Sequence, residues 1–177
     1  MATFDPKAHQ NAGDNDGVPA GDYLLVLKSF KRNRGKQSGK PYLRGMFKVI
    51  HGPAKGKTFF DSISLDTSNS GAMFRLSMLA EQAGAGPFDL DLDDEIREAI
   101  CNKPFKARVN REKSGEYTNN GIARYLGKEI TDFERRVMDT WLVDFAEGQQ
   151  FGGGGDVDSD GLPGGDAPPP GDDDIPF

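Results

Sequence analysis

A two-residue alternation of apolar and polar side chains recurs along this chain and limits what it can fold into. From Tyr42 to Ile50, Leu43, Phe47 and Val49 fall on one side, and Tyr42, Arg44, Met46 and Lys48 on the other. From Pro104 to Arg111, Phe105, Ala107 and Val109 alternate with Lys106, Arg108 and Asn110. Successive strand residues point to opposite faces, so both stretches predict sheet with one dry and one wet face. Asp22 to Lys31, with Tyr23, Leu24, Leu25, Val26, Leu27 and Phe30, reads as a first strand. Lys57 to Leu65 reads as a third, with Phe59 and Ile63 inward and Phe60, Ser62 and Ser64 outward, and Tyr117 to Leu126 as a fifth, weakened near Gly121. Glycines punctuate the connections: a mobile basic loop over Arg32–Pro41, a turn over His51–Gly56 and a hairpin at Lys113-Ser-Gly-Glu116.

Helical spacing appears in three places. Ser68 or Ser70 caps a helix running to about Ala83, with Met73, Leu76, Leu79, Ala80 and Ala83 on its apolar side and Gly84 as its stop. An acidic segment, Asp93 to Cys101, reads as a short second helix. Thr131 and Glu134 form a capping box that opens a third, whose stripe is Phe133, Val137, Met138, Trp141, Leu142 and Phe145. This stripe has two uses open to it: packing across the sheet, or presenting Trp141 and Phe145 to a second subunit of a homodimer. Three strands, a helix and two strands is the element order of the OB-fold, a five-stranded barrel that often binds single strands across one face. The expected fold is therefore mainly β: an irregular arm over residues 1–20, then an OB-fold barrel with its C-terminal amphipathic helix over 21–147.

From Gly148 onward Gly, Pro and Asp dominate and no core can form, which predicts a disordered linker over 148–171. The final six residues, Asp172-Asp-Asp-Ile-Pro-Phe177, differ from the linker in character. Pro176 favours extended backbone, Ile175 and Phe177 suit a small apolar pocket, and the three aspartates with the terminal carboxylate suit a basic rim. The tip, Asp172, Asp173, Asp174, Ile175, Pro176 and Phe177, is thus expected to bind a partner protein.

This acidic tail distorts the bulk charge. The net charge of −6 comes from 22 Lys and Arg against 28 Asp and Glu, and seven of those acids lie beyond residue 147, where there is no base. Setting the seven aside leaves 21 acids against 22 bases, a body of about +1. Within the body, charge is sorted. Between Asp22 and Asp61 there is no acid, while ten bases occur, and a second basic stretch runs from Lys103 to Lys128. A surface of one sign steers a polyanion.

Sequence-independent binding of single strands needs cations for phosphates and aromatic faces for bases. Alternation places Tyr42, Arg44, Lys48, Phe60, Lys106 and Arg108 on the outer face, with Arg124 added by strand five, or Tyr125 if a bulge shifts its register. Lys28 joins this set, and the basic loop adds Lys31, Arg32, Arg34, Lys36 and Lys40 as a clamp on phosphates. Alternation alone leaves Tyr42 and Phe60 two roles, stacking on bases or packing beneath a loop or the last helix.

Signals of other chemistry fail on inspection. Gly52-Pro-Ala-Lys-Gly56-Lys57-Thr58 imitates a P-loop but has three residues between its glycines instead of four, and a strand follows it instead of a helix. Asp156-Val-Asp158-Ser-Asp160-Gly161 opens like a calcium loop, but its twelfth position is Ala167, not Glu. The acids from Asp89 to Glu98 have no His or Lys partner suited to nuclease chemistry, and His9 and His51 accompany no nucleophile. No enzyme, metal or cofactor is expected. Cys101 is the only cysteine, which excludes an internal disulfide and fits a reducing cytoplasm. No apolar run reaches the ~20 residues of a membrane span, and no basic-then-apolar leader opens the chain, so a cytoplasmic protein without membrane contact is expected.

Two resemblances sharpen these expectations. The last six residues resemble the acidic tip of bacterial single-stranded DNA-binding proteins, which implies recruitment of host or phage replication and repair proteins. Val18-Pro-Ala-Gly-Asp-Tyr23, Lys40-Pro-Tyr-Leu-Arg-Gly-Met-Phe-Lys-Val-Ile50 and His51-Gly-Pro-Ala-Lys-Gly-Lys57 resemble a phage family of small single-stranded DNA-binding proteins, long catalogued only as a domain of unknown function. The similarity spans roughly residues 18–127 and implies an OB-fold that binds single-stranded DNA in the infected bacterial cell. Two other readings stay open: an adaptor or inhibitor that occupies the tip-binding pocket of host enzymes, and a strand-annealing recombination protein.

Overall fold

A computed structural model describes residues 17–115 and 117–151, without the side chains of Ser114, Tyr117, Gln150 and Phe151. Most of the expected arm, nearly all of the linker and the whole Asp172–Phe177 tip lie outside the described residues. In chain order the elements are β1 (Gly21–Arg34), β2 (Pro41–Val49), β3 (Thr58–Ser64), α1 (Ser70–Gln82), α2 (Asp93–Ile100), β4 (Pro104–Ser114), β5 (Tyr117–Tyr125), a 3-10 turn (Gly127–Glu129) and α3 (Asp132–Phe151). The strands form one antiparallel sheet in the order β3-β2-β1-β4-β5.

β1 is the central strand and needs two dry faces at its start. Leu25 and Leu27 enter the main core with Phe47, Phe59, Phe105 and Tyr125, whose rings meet at centroid separations of 5.4–6.1 Å. Leu24 and Val26 point the other way, where Ile50 and Met138 form a second cluster closed by Ile130, Val137 and Trp141 of the α3 region. A bulge then interrupts β1: Leu27 faces Phe47 and Ser29 faces Met46, leaving Lys28 as the extra residue. Beyond it the parity reverses, so that Phe30 and Arg32 share the inner side with Leu27, while Ser29, Lys31 and Asn33 lie outside.

The helices add to the main core Leu76 and Leu79 from α1 and Ile96, Ala99 and Ile100 from α2. The N-cap of α1 is Asn69, not the expected Ser68 or Ser70; its side chain accepts from the Ala72 N–H at 3.0 Å. Gly84 terminates this helix at φ +69, a conformation that costs a glycine little. The Thr131–Glu134 capping box is present in both directions, at 2.8 and 3.2 Å. α3 continues to Phe151, four residues past the boundary expected at 147. Val18, assigned to the irregular arm, is fully buried, clasped by the Asn120 amide at 2.9 and 2.6 Å.

The strand pairing does not close the sheet into the expected barrel: β3 and β5 approach but share no backbone ladder. Side chains bridge them instead. Asp61 Oδ2 accepts from the Ile122 N–H at 2.8 Å, and the Arg75 guanidinium donates to the Ile122 carbonyl. Both polar groups of Ile122 are thereby occupied, so they are not available for a ladder with β3. Among the described residues, no helix is long and apolar enough to cross a membrane.

Candidate nucleic-acid interface

The outer face of β1, β2 and β3 is a lattice fixed by strand register. Its rows read Ser29–Met46–Phe60, Lys31–Arg44–Ser62 and Asn33–Tyr42–Ser64, with Lys48 one step beyond, opposite Thr58. Between them the inward partners Leu43, Gly45, Phe47, Phe59 and Ile63 are buried, which anchors the orientation of each outward neighbour. Phe60 is 52% exposed, which removes packing beneath a loop as its role. The Arg44 guanidinium lies 5.7 Å from its ring centroid. Tyr42 is half-buried at the far end of the same strand. Among the described residues, no hydrogen bond or ion pair engages the side-chain ammonium of Lys31 or Lys48; the Lys31 carbonyl accepts from the Asn33 amide at 3.3 Å.

The other predicted cations are distributed differently. The β1 bulge turns Arg32 to the inner side, where it donates to Asp93 at 2.6 Å and to the Leu90 carbonyl at 2.7 Å. Arg32 and Arg34 belong to β1, not to a mobile loop, and Arg34 donates to the Gly39 carbonyl at 3.2 Å. Of the basic loop only Gly35–Lys40 remains; in it Lys36 is exposed, while Lys40 is held by Asp66 at 2.5 Å and Ser68 at 3.0 Å. On β4 and β5 every predicted cation faces outward as expected but carries a carboxylate. Lys106 meets Glu134 at 2.9 Å, Arg108 grips Asp22 with two bonds of 2.6 and 2.9 Å, and Arg124 meets Glu129 at 2.6 Å. β5 does carry a bulge, at Ala123, but it sends Arg124 outward and Tyr125 into the core, so Tyr125 is no stacking platform.

These pairs show in the acidities. Hydrogen bonding to Arg108 holds Asp22 below the usual carboxylate value, and the Lys40 ammonium does the same to Asp66. Burial opposes ionisation of Glu134, but hydrogen bonds from Thr131 and Lys106 prevail and hold it low. Lys28, at the bulge, lies 5.2 Å from the Phe145 ring of α3. Burial, then the charge of Lys48, holds its ammonium below the ordinary lysine value. α3 therefore packs across the sheet, with Trp141 stacked on Phe145 at 5.0 Å beside Lys28.

The structure thus brings together Lys31, Tyr42, Arg44, Lys48 and Phe60 and places Lys28 at their margin. Arg32 goes elsewhere, and the carboxylates of Asp66, Glu134, Asp22 and Glu129 screen Lys40, Lys106, Arg108 and Arg124. Ser29 and Asn33 join the face unforeseen, because only the bulge at Lys28 puts them there. Burial pushes the Cys101 thiol up to about 11, so it is no thiolate at neutral pH. Among the described residues, no three His, Cys, Asp or Glu side chains converge as a metal site.

No curated protein matches the chain. Residues 2–134 match the family described as "Protein of unknown function (DUF669)", and with well over half of its length inside that match the chain belongs to this family.

Proposed function

We propose that this protein binds single-stranded DNA without sequence preference, across the outer face of β1, β2 and β3. The observation that carries the reading is the juxtaposition of Phe60, half-exposed to water, with Arg44 at 5.7 Å and Lys31 and Lys48 nearby on the same face. Exposed aromatic faces and unscreened cations on one rigid surface are what stacking and phosphate capture require. The strand order supports an OB-type barrel left open at one seam, since the OB-fold is a partly open five-stranded barrel that binds through its β2–β3 face. The resemblance of roughly residues 18–127 to the phage single-stranded DNA-binding family agrees with it. On this reading the protein protects single strands during phage replication and recombination, and the Asp172–Phe177 tip recruits partner enzymes.

Binding of labelled oligo-dT, duplex DNA and RNA, measured by gel shift and anisotropy over a salt series, tests the proposal. Oligo-dT is bound most tightly and its affinity falls with salt, because captured phosphates release counterions. Salt-independent affinity refutes the electrostatic part, and absence of binding refutes the whole. Truncation after Gly171 leaves DNA binding intact and abolishes capture of the partner.

A further inference from the structure

We propose that the open seam between β3 and β5 is a second nucleotide subsite, into which a strand bound on the β1–β3 face continues. This rests on the single-strand reading above. A cavity of about 350 Å³ at the seam is lined by Ser62 and Ser64 of β3, Arg75 of α1 and Tyr125 of β5. An adjoining groove of about 650 Å³ shares Arg75 and Tyr125 and extends along Phe74, Met78, Arg124 and Lys128. Ser62 and Ser64 also end two rows of the outer lattice, so the trough begins where the first face stops.

Phe74 stands at this trough 65% exposed, more than any other large apolar side chain among the described residues. It precedes Arg75, which is committed to the Ile122 carbonyl, and it shares the groove with Arg124 and Lys128. A wet aromatic ring beside two cations repeats the chemistry of Phe60 and Arg44. Glu81 and Glu129 also line the groove, and Glu129 accepts from Arg124 at 2.6 Å with side chains 51% and 60% exposed. An ion pair this open to water contributes little, so a phosphate can take the place of the carboxylate on Arg124.

The test uses the full chain and labelled oligo-dT of about 6 and about 20 nucleotides, near the bottom of and beyond the range of site sizes known for one OB-fold. Phe74→Ala lowers affinity for the long oligomer about tenfold and leaves the short one unchanged. Phe74→Tyr keeps wild-type affinity for both, and Glu129→Gln tightens binding of the long oligomer alone. The inference is overturned if Phe74→Ala and Glu129→Gln bind the long oligomer as wild type does, or if Phe74→Ala loses equally on both lengths. It is also overturned if truncation after Gly171 erases the effect of Phe74→Ala, since the occupant is then the chain's own acidic tip. Failure of the wild-type protein to bind either length refutes the single-strand reading itself and is seen before any variant is compared.

Discussion

Arg44 and Phe60 touch, yet the two side chains contribute to binding through different physics, and a salt series separates them. Phe60→Ala removes a stacking surface worth ~1–3 kcal/mol, a loss of roughly 5- to 150-fold in affinity for oligo-dT, and leaves the number of phosphate contacts unchanged. The slope of log affinity against log salt therefore stays at its wild-type value. Arg44→Ala removes one cation, and each phosphate on a single strand contributes about 0.7 to that slope. Between about 50 and about 200 mM salt, the ratio of wild-type to variant affinity consequently shrinks by about 2.5-fold. Neither change unfolds the protein. The ring is already 52% exposed, and an exposed cation–π contact such as the one at 5.7 Å is worth ~0.5–1 kcal/mol, less than the stacking lost in the complex. Anisotropy titrations at four or more salt concentrations give both slopes. A Phe60→Ala variant with an altered slope, or an Arg44→Ala variant with an unaltered one, would refute the division of labour assigned to this face.

Three further outcomes test the fold around it. Gly45→Ala places a Cβ 2.7 Å from Leu27 Cδ1 and 3.1 Å from Phe47 Cε2, both on fully buried side chains, and costs about 1–3 kcal/mol in denaturant unfolding followed by the sole tryptophan, Trp141. Asp61→Ala leaves the Ile122 N–H without its acceptor and speeds its hydrogen exchange, whereas Asp61→Asn, which still offers an oxygen, restores protection; equal exchange in all three proteins contradicts the seam as described. Glu134→Ala destabilises by about 1 kcal/mol through loss of the cap, and Glu134→Gln by less, because an amide can still cap. The Glu134 carboxyl titrates below its ordinary value of 4.5 in the folded chain, so its charge stabilises above that pH and the benefit fades as pH falls through the lower folded value. The gap between wild type and Glu134→Gln accordingly closes in acid; a gap that widens there contradicts the assignment.

What could be read from the residues was whatever obeys local geometry. The alternation of β2, β3 and β4 set the inward and outward sides of Leu43 to Lys48, Phe59 to Ser64 and Phe105 to Asn110, and three-residue spacing announced the Thr131–Glu134 box. Two kinds of information were not local. A bulge leaves no periodic trace of its own, so the reversal at Lys28 that hides Arg32 and exposes Lys31, and the one at Ala123 that buries Tyr125, could be seen only once partner strands were in place. Ion pairing was equally hidden. Arg108 meets Asp22 across 86 positions and Arg32 meets Asp93 across 61, so an acid-free window in the chain did not guarantee an acid-free surface. The open seam, too, depends on Asp61 and Arg75 converging on Ile122 from separate elements.

From Leu25 to Arg34, Lys28 is the one residue of β1 with no opposite number on β2. Residues before it answer to one parity and residues after it to the other, and the inward residues of both halves, Leu25, Leu27 and Phe30, are seated on the same main core. A shorter relative lacking this position would keep every inward and outward assignment of the strand and lose only the kink and the ammonium beneath Phe145. Length variation at Lys28 is therefore absorbed without loss of register, whereas a residue inserted between Phe30 and Lys31 would exchange Lys31 for Arg32 on the outer surface.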